Sequence, residues 1–371
     1  MRTIVKIVAG IVVAVVVLAG LAAGYRAIRV GQRAQEMTLR GPNAVQEAMF
    51  VRVGGIGQWV SIRGEDRANP VLLIVHGGPG GSMLPNQYLF RGWEKDFTLV
   101  QWDQRGAGKT FSRIGPEATG ELSIDGIAAD GVAVADWVRR RLGKPKIILL
   151  GHSWGTVVAS EMARRRPDLF SAYVATGQVV NMQRGEALAY RLLTARVKAA
   201  GDAKALAKLE AIGPPPYRDM AALSPERQVL FAHPPASERG RRAEVNSAGM
   251  LEPQLGLMDV PAYAAAQRYS NEKLYRALMG YDAYARGVRF QTPVFIFQGS
   301  DDIQTPTALA VEYFGKVQAP HKELVLLPGG GHFAIISLRD QFLAELRSRV
   351  KPLATAAGST SEPAGRPGRL P

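Results

Sequence analysis

The sequence contains no cysteine. A disulfide scaffold, a thiolate zinc site, a Cys-ligated iron–sulfur cluster and a cysteine nucleophile are all excluded. Histidine is scarce, with five in 371 residues, so a general base has few possible sources. No cluster of histidines and carboxylates has metal-site spacing, and no metal or other cofactor is expected. Acidic residues are outnumbered: 46 Lys and Arg against 32 Asp and Glu give a net charge of +14. The basic clusters Arg139-Arg140-Arg141 and Arg164-Arg165-Arg166 lie inside apolar helical patterns. No zinc-finger or ribonucleoprotein signature accompanies them. The charge is therefore read as a basic surface near acidic lipid, and no nucleic acid is expected as a partner. Gly106-Ala107-Gly108-Lys109-Thr110 resembles the end of a nucleotide-binding loop, but Asp103 stands where that motif requires glycine.

What the sequence does have is enough apolar residue, 47%, to build a packed core. From Ile7 to Tyr25 no residue is charged, a length that suffices to cross a bilayer core. Residues 1–33 are read as a single-pass membrane anchor. The competing reading is a signal peptide cut near Ala22-Ala23-Gly24, with export of the remainder. Basic residues flank both ends, so orientation is not assigned. Residues 352–371, rich in Ala, Gly, Pro, Ser and Thr, are read as a disordered tail.

Between these ends, apolar strand-like runs alternate with helical stretches. Ala48–Val53 and Gln58–Ile62 flank Gly54-Gly55 as a hairpin. Runs at Val71–Val75, Phe97–Trp102, Lys146–Leu150, Ser171–Thr176, Pro293–Gln298 and Glu323–Leu327 follow. Unbroken apolar strands between helices predict a mostly parallel α/β sheet with helices on both faces. Strand signals stop across residues 181–289, which are read as an inserted helical cap. The core is thus expected in two parts, 34–180 and 290–351.

Gly151-His152-Ser153-Trp154-Gly155 fits G-x-S-x-G between a strand and a helix. A serine on so tight a turn adopts strained backbone angles, and flanking glycines permit the close approach. Ser153 is the expected nucleophile. His332, following Gly329-Gly330-Gly331 after the last strand, is the expected base. Asp302, at the end of the Val294 strand, is chosen to orient it, with Asp301 the neighbouring alternative. His76 is expected to brace the loop His76-Gly77-Gly78-Pro79-Gly80-Gly81, and the side chain of His152 to point away from the turn. The amides of Gly78 and Trp154 are the expected oxyanion donors.

Taken together, His76-Gly77-Gly78-Pro79-Gly80, Asp103-Gln104-Arg105-Gly106-Ala107-Gly108, Gly151-His152-Ser153-Trp154-Gly155 and Gly299…Asp302…Pro306 make the chain resemble the α/β-hydrolase superfamily, and within it the proline iminopeptidase-like group. The resemblance covers about residues 47–350. It implies a Ser153–Asp302–His332 triad, an oxyanion hole from Gly78 and Trp154, and a cap over the carboxyl edge of the sheet. The implied function is that of a serine hydrolase acting on a small amide or ester, with release of N-terminal proline from short peptides as the first reading. A carboxylic-ester hydrolase is the second, and a silent hydrolase fold that binds a ligand is the alternative of another class. An iminopeptidase holds the substrate amine with a cap carboxylate. The Glu-Asn-His-Tyr-Phe-like segment of the family is absent here, and Glu272 in Asn271-Glu272-Lys273 is taken as its substitute. Glu186, Glu252 and Asp282 are further candidates.

Overall fold

A computed structural model describes residues 1–359. The first element is α1 (Arg2–Met37), a helix long and apolar enough to cross a membrane by length and composition. It continues past residue 33, because Arg33-Ala34-Gln35-Glu36-Met37 is made of good helix formers. Its last turns lie on the body of the protein. Arg26 donates to the carbonyls of Met250 and Leu255 at 3.0 and 2.8 Å, and Met37 is buried.

The hairpin β1 (Val45–Val53) and β2 (Ile56–Gly64) turns at Gly54-Gly55, where both residues have positive φ as a tight hairpin turn requires. Next come β3 (Val71–Val75), a 3-10 stretch over Leu84–Lys95, and β4 (Thr98–Trp102). After them lie α2 (Gly108–Thr119), α3 (Ile124–Arg141), β5 (Ile147–His152), α4 (Trp154–Arg165) and β6 (Phe170–Thr176). The eight strands order as β1-β2-β4-β3-β5-β6-β7-β8, with β7 (Val294–Gly299) and β8 (Lys322–Leu327) closing the far edge. All pairs from β4 to β8 are parallel; β1 with β2 and β2 with β4 are antiparallel. Every residue of β3, β4, β5, β6 and β7 is buried, as expected for strands covered on both faces. The chain steps from β3 to β4 on one side and then crosses to β5 on the other. The crevice at the carboxyl ends of β3 and β5 is thus a topological switch point, where ligands of open α/β sheets bind.

Six helices lie between β6 and β7: α5 (Met182–Ala199), α6 (Ala203–Ile212), α7 (Met220–Ala232), α8 (Arg241–Met250), α9 (Asp259–Met279) and α10 (Ala283–Arg286). Asn181, Asp202, Asp219 and Asp282 cap four of them by accepting backbone N–H bonds. Leu193, Val197, Leu209, Val229 and Leu230 form a small core of their own, into which Ile303 projects from the sheet domain. Helix α9 lies against two core loops so closely that a Cβ on Gly80 would stand 2.6 Å from Ser270 Cβ.

The remaining helices are α11 (Thr307–Lys316), α12 (Ala334–Ser337), α13 (Arg339–Glu345) and α14 (Lys351–Ser359). The last corrects the reading of 352–371 as a disordered tail, at least through Ser359. The segment continues the helical turn Leu346–Val350, so no new nucleus is needed, and Leu353 and Ala354 pack on the core. Residues 360–371 lie outside the described residues.

Candidate active site

Ser153 stands between the end of β5 and the start of α4 with φ 55° and ψ −123°. Among the described residues it is the one non-glycine with positive φ, a conformation of order 1–3 kcal/mol above ordinary backbone. The turn is held by Ser153 N–H donating to Thr176 O at 2.9 Å and Thr156 N–H donating to Ser153 O at 2.7 Å. The glycines around it are dictated by contact. A Cβ on Gly151 would lie 2.6 Å from Gly155 O, and one on Gly155 would overlap Val75 O.

Around Ser153 Oγ three loops converge. From β8, His332 brings Nε2 to 2.9 Å from Ser153 Oγ, while its Nδ1 lies 3.0 Å from Asp302 Oδ2. An ionised carboxylate only accepts, so Nδ1 carries the proton and the Nε2 lone pair faces the serine. From β7, Asp302 accepts N–H bonds from Gln304 and Thr305 on Oδ1, and bonds from Thr305 Oγ1 and Gln298 Nε2 on Oδ2. Burial pushes its carboxyl up, but His332 and the Thr305 donors outweigh burial and hold it below the usual aspartate range. Asp301, one residue earlier, is exposed and accepts from Ser300 Oγ instead. Ser153, Asp302 and His332 are 9%, 2% and 6% exposed.

From β3, the glycine loop approaches Ser153 so closely that a Cβ on Gly77 would stand 3.2 Å from the serine Cβ. Gly78 takes φ 137° in this loop. Trp154 is the first residue of α4, so its N–H has no partner within the helix and is free to donate. His76 Nδ1 lies 2.8 Å from Gly77 O, and its Nε2 accepts Gln104 N–H at 3.2 Å. Gln104 returns a bond to His76 O and accepts from the Trp154 indole. Burial lowers His76 to about 4, so it is a neutral brace. The Nε2 of His152 lies 3.0 Å from His332 O, a donor that fixes the loop carrying His332. Burial, followed by the neighbouring His332, lowers His152 to about 4.

The Asp103–Gly108 loop ties the roof to the floor. Asp103 accepts from Ser82 Oγ at 2.5 Å, from Lys109 N–H at 2.7 Å and from Tyr263 OH of α9 at 3.4 Å. Arg105 clamps Asp130, Thr119 O and Gly54 O.

A cavity of about 1030 Å³ opens between the cap and the core, with His332 on its wall. Its apolar walls include Leu230, Phe231, Ile303, Phe333 and Ile336, and its carboxylates are Glu238 and Asp301. Ser153 is not on that wall. None of the four cap carboxylates singled out from sequence is there either. Glu272 is exposed on α9, Glu186 pairs with Arg227, Asp282 caps α10 and binds Asn181, and Glu252 is buried among groups near α1. The cap carboxylate that does line the cavity is Glu238. It lies on the short 3-10 turn Ala236–Glu238, and its Oε1 accepts Phe333 N–H at 2.9 Å, directly beside His332. Burial raises its pKa above the usual glutamate range. The sequence signal that could have found it is the pair Pro234-Pro235, since adjacent prolines interrupt helical periodicity.

Comparison with known proteins places this geometry. Residues 70–337, most of the chain, match the family model described as the alpha/beta hydrolase fold. The chain belongs to the α/β-hydrolase family. This α/β-hydrolase is 30% identical over 288 residues to a probable aminopeptidase of Bacillus subtilis, covering 76% of the chain and 88% of that protein. Its fold is that of a proline iminopeptidase-related protein from Thermus thermophilus, with TM-score 0.59, 23% identity and 85% and 98% of the two chains covered. A proline iminopeptidase from Mycobacterium smegmatis aligns with TM-score 0.60, 18% identity and coverage of 84% and 100%. The family makes the chain a hydrolase, similar to the proline iminopeptidase group.

Proposed function

We propose that the chain is a serine hydrolase working through an acyl-enzyme, and that it releases an N-terminal residue, proline first, from short peptides. The hydrogen-bonded chain Ser153–His332–Asp302 carries this reading. His332 takes the serine proton at Nε2 as Oγ bonds to the substrate carbonyl carbon. The amides of Gly78 and Trp154 hold the resulting oxyanion. His332 then gives the proton to the leaving nitrogen, the C–N bond breaks, and water repeats the sequence on the acyl-enzyme. Asp302 keeps the imidazole in the required tautomer and stabilises its cation.

A peptide amine is protonated at neutral pH, and a buried ammonium needs a carboxylate. Glu238 supplies one on the cavity wall beside His332. The aminopeptidase name of the Bacillus relative points the same way. The largely apolar wall formed by Leu230, Phe231, Ile303, Phe333 and Ile336 favours a second reading, a carboxylic-ester hydrolase. Prolyl-naphthylamide and a panel of p-nitrophenyl esters, assayed with the wild type and Glu238→Gln, separate the two. The first reading predicts a KM for the prolyl amide raised about 10-fold by the variant, the size of one hydrogen bond to a charge, with acetate-ester hydrolysis spared. Equal losses on both substrates assign Glu238 to support of the His332 loop.

We read α1 as an uncleaved membrane anchor. The helix is continuous through Ala22-Ala23-Gly24, and Arg26 and Met37 bind its end to the folded body.

A further inference from the structure

The large apolar side chains left exposed outside α1 are not evenly spread. Met250, Leu257, Met258 and Val260 are 60%, 59%, 81% and 58% exposed, and they bracket the turn between α8 and α9. This cluster is attached to the membrane helix. Arg26 bonds the carbonyls of Met250 and Leu255, and it is the first charged residue after the apolar run Ile7–Tyr25. Nineteen residues of helix rise about 28 Å, close to the thickness of a bilayer core. The point where α1 leaves the hydrocarbon is therefore the point where it grips the α8–α9 turn. A further basic side chain, Arg29, is exposed on the next turn of α1 beside Arg26.

We propose that the α8–α9 turn, Leu257 and Met258 above all, is a second membrane contact that dips into the lipid interface beside the anchor. The inference rests on the reading of α1 as a membrane span. Four large apolar groups at a helix exit lose exposed area by entering the acyl boundary, which monotopic segments penetrate by about 5–10 Å. The neighbouring arginines suit anionic headgroups. With this second contact the body no longer swings about one helix. It is held in a fixed pose, and α8 relates the pose to the cavity: its ten residues run from Arg241 on the cavity wall to Met250 at the membrane contact, about 15 Å.

The cysteine-free chain makes the test clean. Single variants Val15→Cys, Met258→Cys and Val311→Cys of the full chain are labelled with an environment-sensitive fluorophore. They are then reconstituted in vesicles of equal parts phosphatidylcholine and phosphatidylglycerol. Quenching by nitroxide on shallow acyl positions is compared with quenching by aqueous iodide. Position 311, exposed on α11, is the aqueous reference. The proposal predicts a lipid-to-iodide quenching ratio at 258 at least about two-fold above that at 311, as interfacial burial requires, with position 15 deeper still. A label at 258 that behaves like 311 while 15 lies in lipid overturns the second contact and leaves the anchor standing. A label at 15 in water overturns the anchor, and this inference with it.

Discussion

The floor of the site and its roof are specified by different kinds of constraint. On the floor, Ser153 and Asp302 leave the ends of buried strands, His332 follows the edge strand β8, and each is held through backbone groups. Ser153 has its strained turn, Asp302 has the Gln304 and Thr305 amides, and His332 has the bond that its carbonyl accepts from His152 Nε2. In the roof, α5, α6 and α7 share a small core of their own, while α8, α9 and α10 pack on the cores of the sheet domain through Ala248, Leu274 and Ala283 and are tied down by bonds such as Tyr263 to Asp103 and Ser270 to Gly106. On the proposed function, a floor built this way fixes the chemistry and the roof sets the substrate, because its carboxylates and apolar walls can change without disturbing the strands. Ile303 joins the two: it follows Asp302 directly and packs into the core of the cap.

The contrast is sharpest at the proposed nucleophile, Ser153. Ser153→Ala should lower kcat by about 10³-fold or more by removing the covalent step, while the thermal midpoint stays near that of the wild type. An activity near the wild-type value in a pure preparation would break the assignment of chemistry to the floor. One residue of register should also decide the acid. Asp302→Asn should cost about 10²-fold or more by leaving His332 in the wrong tautomer; Asp301→Asn, at an exposed side chain, should cost little. The reverse ranking moves the role to Asp301. In the roof, Glu238→Gln should act through KM on amine-bearing substrates, as set out above, and leave kcat for esters nearly unchanged.

These differences also explain what the sequence discloses. Glycine spacing is legible because it records backbone collisions: Gly151, Gly155 and Gly77 stand where a Cβ would strike a neighbour. The central strands are legible as apolar runs with ends within two residues of those observed, whereas β1 begins at Val45, three residues before the expected Ala48. The cap's amine-binding candidate is not legible. Helical periodicity places Glu272 on a helix but does not say which face of α9 meets the core, and Glu272 turns out to lie on the solvent face. Glu238 lies in an aperiodic turn whose place above His332 depends on how the cap folds back onto the sheet. The helix Lys351–Ser359 was hidden for a related reason: its composition reads as linker, and only its continuity with the preceding turn orders it.

The smallest effect concerns stability at the seam between roof, core and α1. Burial raises Glu252 to about 7, and its Oε2 has no partner. Between the usual glutamate value of about 4.3 and about 7, the folded chain keeps a proton that the unfolded chain releases. Stability from this group is therefore full at low pH and falls as pH rises through that window. Glu252→Gln should raise the thermal midpoint at pH 8 and leave it nearly unchanged at pH 4. An equal shift at both values would mean that packing, not charge, decides the site.

Mapping of a fluorophosphonate adduct on the full-length protein tests the acyl-enzyme itself. Mass spectrometry of wild type should find one covalent phosphonyl group on the peptide containing Ser153, with loss of fluoride and of hydrolytic activity in step. Ser153→Ala should carry none, and Asp302→Asn should label far more slowly than Asp301→Asn. An unlabelled wild type that still hydrolyses its substrate, or an adduct on another residue that abolishes activity, would contradict the proposal that Ser153 is the nucleophile.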